Sequence, residues 1–163
     1  MAPADSIGAR KPTCSCCGGA EEAPAAPPCP GCGQAGRPVQ ALTLKALLAP
    51  PLGEALGAGP WSFCATPACA VVYFDEAGHA FRKDQLRVRV GLKETEAPRP
   101  LCYCFGLSEE GLRAEWAATG RLDSVAALRL AVKEGRCRCE VENPSGACCL
   151  GEVLKATRAF GAS

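Results

Sequence analysis

The sequence is poor in aromatic residues, in histidine and in methionine, and it contains no long apolar run. Aromatic residues make up 6% of the 163 residues, so any core is thin and needs cross-links to hold it. No segment approaches the roughly 18 consecutive apolar residues of a membrane span. Residues 1–11 also lack the apolar run of a signal peptide. These absences predict a soluble, cytoplasmic protein that is not inserted in a membrane.

Several kinds of chemistry are also excluded. His79 is the only histidine, so Ser-His or Cys-His catalysis has little to build on, and we interpret this residue as a surface side chain rather than a ligand. No glycine loop that would bind phosphate is present. Lys and Arg number 18 against 17 Asp and Glu, which leaves no electrostatic surface for nucleic acid. Hydrolase or transferase activity therefore has no support, and an enzyme activity would be at most that of a metal-ion reductase.

Cysteine, by contrast, is abundant, with 13 residues. The odd number, the lack of a secretion signal and the adjacent or alternate spacing of several cysteines argue against a disulfide framework. Disulfides between neighbouring or next-but-one residues are strained. Metal ligation is the better explanation of this composition.

Two cysteine pairs in the first half have the spacing of a structural zinc site. Cys29 and Cys32 enclose Pro-Gly, and that glycine lets backbone N–H groups turn toward a thiolate-bound ion. Cys64 and Cys69 are separated by four residues. A two-residue spacing followed by a four-residue spacing is typical of four-cysteine zinc sites, although the same sulfur set would accept a lone iron.

The residues between and after these pairs predict a small sheet that the metal braces. Thr43–Leu48 has the pattern of a short helix that ends before Pro50-Pro51. Extended runs are expected at Val71–Phe74, His79–Phe81 and Leu86–Val90. The glutamates and prolines of Glu94–Pro100 indicate a linker.

The second half is predicted to be helical. Ser108 is a candidate N-cap, with Leu112 on the apolar face that follows. Asp123 or Ser124 would cap the next helix, which ends at Gly135. The two helices would bring distant cysteines into one site.

These cysteines suggest a four-thiolate iron–sulfur cluster. Cys102 and Cys104 lie two residues apart, so in an extended segment both sulfurs point to one side. After a turn at Asn143–Gly146, Cys148 and Cys149 are expected in the first turn of a helix, where the dipole favours negative charge. Cys149 shares its helical face with apolar residues, so it is predicted to be the ligand of the two.

The N-terminal segment has no periodicity and is rich in Ala, Pro, Gly and Glu, which predicts a disordered arm. It carries Cys14, Cys16 and Cys17. Three cysteines within four residues would be able to capture a soft ion such as Cu(I), or they are incidental thiols on a flexible tail.

Three motifs together resemble a known family. Phe63-Cys64 through Cys69-Ala-Val-Val-Tyr-Phe74, Leu101-Cys-Tyr-Cys104 and Asn143-Pro-Ser-Gly-Ala-Cys-Cys149 are similar to the N-terminal part of the CopZ-type copper chaperones. That family pairs a zinc site with a [2Fe–2S] cluster, in a domain similar to bacterioferritin-associated ferredoxin. The resemblance extends from Cys29 to about Phe160.

The resemblance implies two ligand sets. The zinc ligands would be Cys29, Cys32, Cys64 and Cys69. The cluster ligands would be Cys102, Cys104, Cys139 and Cys149. Cys139 is preferred to the neighbouring Cys137 only through this resemblance. The family's separate copper-binding domain, with its Met-x-Cys-x-x-Cys loop, is expected to be absent, because Met1 is the only methionine.

The fold class predicted is α+β, with an arm (1–28), a zinc module (29–98) and a helical [2Fe–2S] module (99–163). The resemblance implies electron transfer in copper or other soft-metal handling, with reduction of Cu(II) to Cu(I) for a metal-exporting ATPase or a separate copper chaperone. Two alternatives remain open: a general ferredoxin that serves another enzyme, and a thiol-rich protein that sequesters metal without redox work. Arg136 and Arg138 would favour a reduced cluster, or they are solvated surface charges.

Overall fold

The computed structural model describes residues 26–57 and 59–161. Residues 1–25 of the predicted arm, with Cys14, Cys16 and Cys17, lie outside the described residues, so the role of these cysteines stays a prediction. Strands and helices both occur, and the prediction of an α+β fold is confirmed. In the described part of the chain, no helix combines the length and the apolar character that a membrane crossing requires.

The first half is a four-stranded antiparallel sheet in which the strands follow chain order. The strands are β1 (Arg37–Val39), β2 (Trp61–Phe63), β3 (Val71–Asp75) and β4 (Ala80–Arg82). Helix α1 (Ala41–Leu47) connects β1 to the loop before β2. The observed α1 and β3 agree closely with the predicted helix and first strand.

The inner strand β3 separates two cores because its side chains are buried on both faces. Tyr73 packs with Phe63 and with Leu44 of α1 in an apolar core. Val71 and Phe74 lie instead in a second core that contains Cys29, Cys64 and Cys69. The predicted zinc ligands therefore form part of the protein interior.

The prediction of a strand at Leu86–Val90 is wrong. Only Leu86 makes an isolated bridge, and its partner is Leu48. The Arg87 amide donates to the Leu47 carbonyl at 2.8 Å, and its Nε donates to the Leu48 carbonyl at 3.0 Å. These contacts pull the segment onto the end of α1, away from the sheet. Strands β1 and β2, which the sequence did not predict, complete the sheet in its place.

The second half opens with a hairpin and continues with four helices. Their bounds are β5 (Pro100–Cys102), β6 (Leu107–Ser108), α2 (Glu109–Thr119), α3 (Asp123–Lys133), α4 (Cys139–Glu142) and α5 (Leu150–Ala159). One apolar core joins the hairpin to α2, α3 and α5, with Leu112, Leu128 and Val153 almost fully buried.

The helix starts confirm one predicted cap and correct two other details. Ser108 caps α2, since its Oγ accepts from the Gly111 amide at 3.1 Å. Helix α3 begins at Asp123 without a side-chain cap, because its N-cap residue is Leu122. Ser124 lies within the helix and donates to Glu115 of α2. Helix α5 begins at Leu150, so Cys149 is its N-cap residue and not part of the first turn.

Buried contacts join the two halves. The Thr43 hydroxyl of α1 donates to the Glu140 carbonyl of α4 at 2.6 Å. The Tyr73 hydroxyl of β3 donates to the Pro144 carbonyl at 2.8 Å. Gly146, with φ of 66°, lies so close to α1 that a Cβ atom would be 3.1 Å from the Thr43 hydroxyl. The turn between α4 and α5 is thereby held against the sheet half.

Candidate metal centres

Four cysteines of the first half converge on one point. The Sγ atoms of Cys29, Cys32, Cys64 and Cys69 all lie within 4.8 Å of one another. Across the two pairs, Cys29 and Cys69 sulfurs are 3.9 Å apart and Cys32 and Cys64 sulfurs are 3.7 Å apart. Three of the four residues are buried and Cys32 is half-buried.

The Cys29–Cys32 loop brings backbone donors to the sulfurs, as the sequence suggested. The Gly31 amide lies 3.4 Å from the Cys29 Sγ and donates to it. A Cβ at Gly31 would lie 2.9 Å from Val71 Cγ2 and 3.0 Å from the Cys69 Sγ, so only glycine allows the loop to approach β3 this closely. Gly33, with φ of 71°, turns the chain after the second cysteine.

The environment shifts the pKa values of three of the four thiols, and not all in the same direction. Burial raises the pKa of Cys29 to about 12 and also raises the pKa of Cys69. A hydrogen bond with the Thr66 hydroxyl lowers the pKa of Cys32 to about 6. Thiolate ligands are deprotonated, so a cation that binds all four sulfurs would displace the remaining thiol protons.

The geometry of this set fits a single tetrahedral ion. A Zn–S bond of about 2.3 Å places neighbouring sulfurs of a tetrahedron about 3.8 Å apart. The two measured cross-pair distances lie within 0.1 Å of that value. An all-sulfur, mostly buried tetrahedron is the donor set of structural zinc.

A second set of four cysteines is brought together in the helical half. Cys102 ends β5, Cys104 lies in the following turn, Cys139 begins α4 and Cys149 is the N-cap residue of α5. Three of them are buried and Cys104 is half-buried. All four belong to the apolar core of this half.

The expectation that Cys102 and Cys104 belong to one extended segment is wrong, because β5 stops at Cys102. Gly106, with φ of 63°, completes a turn that reverses the chain into β6. In this turn the amides of Phe105 and Cys104 donate to the Cys102 sulfur. The two sulfurs therefore meet different partners.

The four sulfurs form a row rather than a compact tetrahedron. Cys149 hydrogen-bonds both to Cys102 and to Cys139. Cys139 and Cys104 sulfurs are 3.8 Å apart. Within residues 26–57 and 59–161, the first set is the only group of His, Cys, Asp or Glu side chains with at least three donor atoms that all lie within 4.8 Å of one another. A [2Fe–2S] cluster distributes its four thiolates over two irons, so an extended row fits it better than it fits one ion.

The row again mixes thiols and thiolates. The hydrogen bond from Cys149 lowers the pKa of Cys102 to about 7 and the pKa of Cys139 to about 6. The same contacts raise the pKa of the donor, Cys149. Burial raises the pKa of Cys104 to about 12. Two of the four sulfurs are thus disposed to bind cations at neutral pH.

Several neighbouring residues bear on the sequence alternatives. Cys137 and Cys148 are half-buried, whereas Cys139 and Cys149 are buried. Cys137 lies close enough to hydrogen-bond to Cys139. Arg136 forms an ion pair with Glu134 at 2.6 Å and is 54% exposed, which favours the interpretation of a solvated surface charge.

His79 lies away from both cysteine sets. Its Nδ1 is 2.7 Å from an oxygen of Asp75, and its side chain is 69% exposed. The interpretation of this histidine as a surface residue agrees with that position.

Two features of the sites were missed in the sequence. The Thr66 hydroxyl lies within hydrogen-bonding distance of the Cys32 Sγ, at 3.3 Å, and its position between Cys64 and Cys69 was the available signal. Helix α4, which positions Cys139, is only four residues long and has no periodicity that a sequence pattern would reveal.

Comparisons with known proteins identify similar sequences and one similar structure. A family model described as a zinc binding domain, of CopZ type, matches residues 26–87. The copper chaperone CopZ of Archaeoglobus fulgidus is 38% identical over 121 residues, which cover 74% of this chain and 57% of that protein. The chain therefore spans little more than half the length of that relative.

A solved structure extends the likeness to both halves. The crystal structure of the Archaeoglobus fulgidus CopZ N-terminal domain matches with a TM-score of 0.65 and 36% identity, over 78% of this chain and 95% of that domain. The chain therefore belongs to the family of CopZ N-terminal domains.

Proposed function

We propose that the chain is a zinc-braced iron–sulfur protein of copper handling, with Cu(II) as its substrate and Cu(I) as its product. The observation that carries the proposal is the row of four sulfurs from Cys102, Cys104, Cys139 and Cys149, which lies in the core of the helical half. The likeness to a protein named copper chaperone CopZ supports copper as the metal. Because the chain spans 57% of that relative, the transfer of its role is a proposal.

The two cysteine sets would have separate tasks. Cys29, Cys32, Cys64 and Cys69 would hold Zn²⁺ and brace the sheet, since a closed tetrahedron of thiolates leaves no position for a substrate. Cys102, Cys104, Cys139 and Cys149 would hold the [2Fe–2S] cluster. When bound, such a cluster supplies one electron at a time, at about −400 mV in plant-type ferredoxins.

The chain tunes and exposes the second set in two ways. The Arg138 amide donates to the Cys104 Sγ at 3.3 Å, and the Phe105 amide donates to Cys102. Such N–H groups stabilise negative charge on the sulfurs and so influence the reduction potential. Cys104 is half-buried and Phe105 is 39% exposed, which makes this turn the natural point of approach for a copper ion.

The electron balance is one electron for each copper. Cu(II) gains one electron from the reduced protein and becomes Cu(I), which soft thiolates bind preferentially. Cys14, Cys16 and Cys17, outside the described residues, are the candidate receivers. A metal-exporting ATPase or a separate copper chaperone would then accept the Cu(I).

The first test is composition. Anaerobically purified or reconstituted protein should contain one zinc, two irons and two acid-labile sulfides per chain, with the visible and EPR spectra of a [2Fe–2S] centre. A protein that holds two zinc ions and no iron after careful reconstitution would end the iron–sulfur proposal.

The second test is the reaction with copper. Protein reduced with dithionite, freed of excess reductant and mixed anaerobically with one equivalent of Cu(II), should regain the oxidised absorbance within seconds and retain Cu(I). A deletion of residues 1–26 should abolish retention and leave the electron transfer intact. Reoxidation without retained copper in the full chain would favour the general ferredoxin. Retention of copper without reoxidation would favour simple sequestration.

A further inference from the structure

Lys93 is a charged residue buried beside the four-cysteine set of the first half. It ends a 3₁₀ turn at Gly91–Lys93 and is only 4% exposed. Its Nζ donates to the Thr66 carbonyl at 2.8 Å and to the Cys69 carbonyl at 3.1 Å. Both carbonyls belong to the loop that carries Cys64 and Cys69. The ammonium group is therefore directed at the backbone of the predicted zinc site.

Among the residues that the structure describes, this ammonium has no acidic partner. The nearest carboxylate in sequence, Glu94, forms ion pairs with Lys83 and Arg89 instead. Within residues 26–57 and 59–161, no ion pair involves Lys93. A buried charge is strongly unfavourable unless an opposite charge lies nearby, and carbonyl dipoles supply hydrogen bonds but no net charge. Lys93 is thus a buried cation whose counter-charge is not supplied by any of the described side chains.

Four thiolates around Zn²⁺ would provide it. Their four negative charges exceed the two positive charges of the ion, so the site carries a net charge of −2. We propose that Lys93 is the counter-ion and the positioning residue of the zinc site, where it offsets this charge and fixes the loop that presents Cys64 and Cys69. The inference rests on the zinc occupancy proposed above.

The positioning extends to the other cysteine pair. Lys93 donates to the Thr66 carbonyl, and the hydroxyl of the same threonine lies 3.3 Å from the Cys32 Sγ. Lys93 also holds the Cys69 carbonyl, and the Cys69 sulfur lies 3.9 Å from that of Cys29. One side chain thus orders a loop that touches sulfurs of both pairs.

The test compares Lys93→Met with Lys83→Met in the full chain. Both substitutions remove one positive charge and keep an unbranched side chain. The Lys83 side chain, however, is 42% exposed, and its Nζ donates to Glu94 and to the Lys93 carbonyl rather than to the loop that carries Cys64 and Cys69. In competition with a chelator, Lys93→Met should bind Zn²⁺ about 10 to 100-fold more weakly than the unsubstituted chain, the usual effect of losing an outer partner of a metal site. Lys83→Met should stay within about 3-fold.

A second readout separates charge from loop packing. With zinc saturating, alkylation of the zinc-bound thiolates by iodoacetamide should be several-fold faster in Lys93→Met. Without the Lys93 ammonium nearby, these thiolates are more basic and more nucleophilic. Lys93→Gln keeps a donor but no charge, and it should also alkylate faster. If Lys93→Met does not fold with zinc in excess, Lys93→Gln decides the question.

Unchanged zinc affinity in a folded Lys93→Met or Lys93→Gln variant would overturn the proposal. Weaker binding with an unchanged alkylation rate would overturn the counter-ion role. Failure of the unsubstituted chain to bind zinc would instead refute the zinc site itself, and the iron and sulfide content tests the redox proposal separately.

Discussion

The Tyr73 hydroxyl donates to the Pro144 carbonyl at 2.8 Å and so joins the central strand of the sheet to the turn between α4 and α5. Both residues are almost completely buried. Burial raises the pKa of Tyr73, so its phenol remains a protonated donor throughout the physiological range. Because the turn lies between Cys139 and Cys149, this bond couples the sheet half to the second cysteine set.

The first prediction concerns this bond. Tyr73→Phe leaves the Pro144 carbonyl buried without that partner and should lower the free energy of unfolding by about 1 to 3 kcal/mol. Urea unfolding of the metal-loaded protein measures the change. Thr119→Val removes a hydroxyl whose bonds stay on the exposed end of α2, and it serves as the control. An effect of Tyr73→Phe no larger than that of the control would mean that the bond is dispensable.

The grouping of the first four cysteines was predictable because the spacing within each pair of metal ligands is a short-range feature of the sequence. The Cys29–Cys32 and Cys64–Cys69 spacings predicted one compact set, and the sulfurs converge as expected. The helix phase after Asn143 predicted that Cys149, and not Cys148, is the more buried of the two, as observed.

Features that depend on distant contacts were not predictable. Leu86–Val90 has the pattern of a strand, but bonds from Arg87 to the end of α1 determine its place. Lys93 looks like any surface lysine in sequence, and only the fold reveals that it is buried against the Cys64–Cys69 loop. Ser124 follows the pattern of an N-cap residue in the sequence, but its hydroxyl donates to Glu115 of the preceding helix.

Removal of zinc should unfold the sheet half. The second core is built around Cys29, Cys64 and Cys69, so metal binding there is coupled to folding. Trp61 lies in β2 and is 6% exposed, and Trp116→Phe leaves it as the only tryptophan. A chelator strong enough to remove zinc at neutral pH should shift the Trp61 emission to longer wavelength. An unchanged spectrum after proven loss of zinc would refute the coupling.

A pH dependence is expected at the start of α2. Hydrogen bonds from Arg113 and, to a smaller extent, from Arg99 hold the pKa of Glu109 below its usual range. The Arg99 Nε lies 2.7 Å from the Glu109 Oε2. A lowered folded-state pKa stabilises the protein above the unfolded-state pKa, and this contribution disappears as pH falls through the folded-state pKa. The pairs are partly exposed, so the contribution is below about 1 kcal/mol.

The effect of Glu109 is measured as a difference between the free energies of unfolding of two chains. The gap in free energy of unfolding between the unsubstituted chain and Glu109→Gln should be constant from pH 7 to about pH 5 and should shrink below about pH 4.3, the usual glutamate value. Subtraction cancels the acid lability of the cysteine sites, which both chains share. A gap that grows on acidification would contradict the assignment.

The last prediction distinguishes the adjacent cysteines of the second set. Cys149 is 2% exposed, is the N-cap residue of α5 and interacts with Cys102 and Cys139, whereas Cys148 is half-buried. Cys149→Ser should therefore lose the iron and sulfide or bind them only transiently, and Cys148→Ser should keep both. Iron and sulfide content after anaerobic reconstitution, together with the visible spectrum, measures the outcome. Zinc content should remain unchanged in both variants, because neither residue belongs to the four-cysteine set of the first half. The opposite pattern, with loss in Cys148→Ser alone, would mean that the sulfur facing the core is not the ligand.

The matched pair Cys139→Ser and Cys137→Ser extends the test to α4. The Cys139 Sγ is buried and lies 3.8 Å from the Cys104 Sγ, so Cys139 should prove essential for the iron and sulfide content and Cys137 should not.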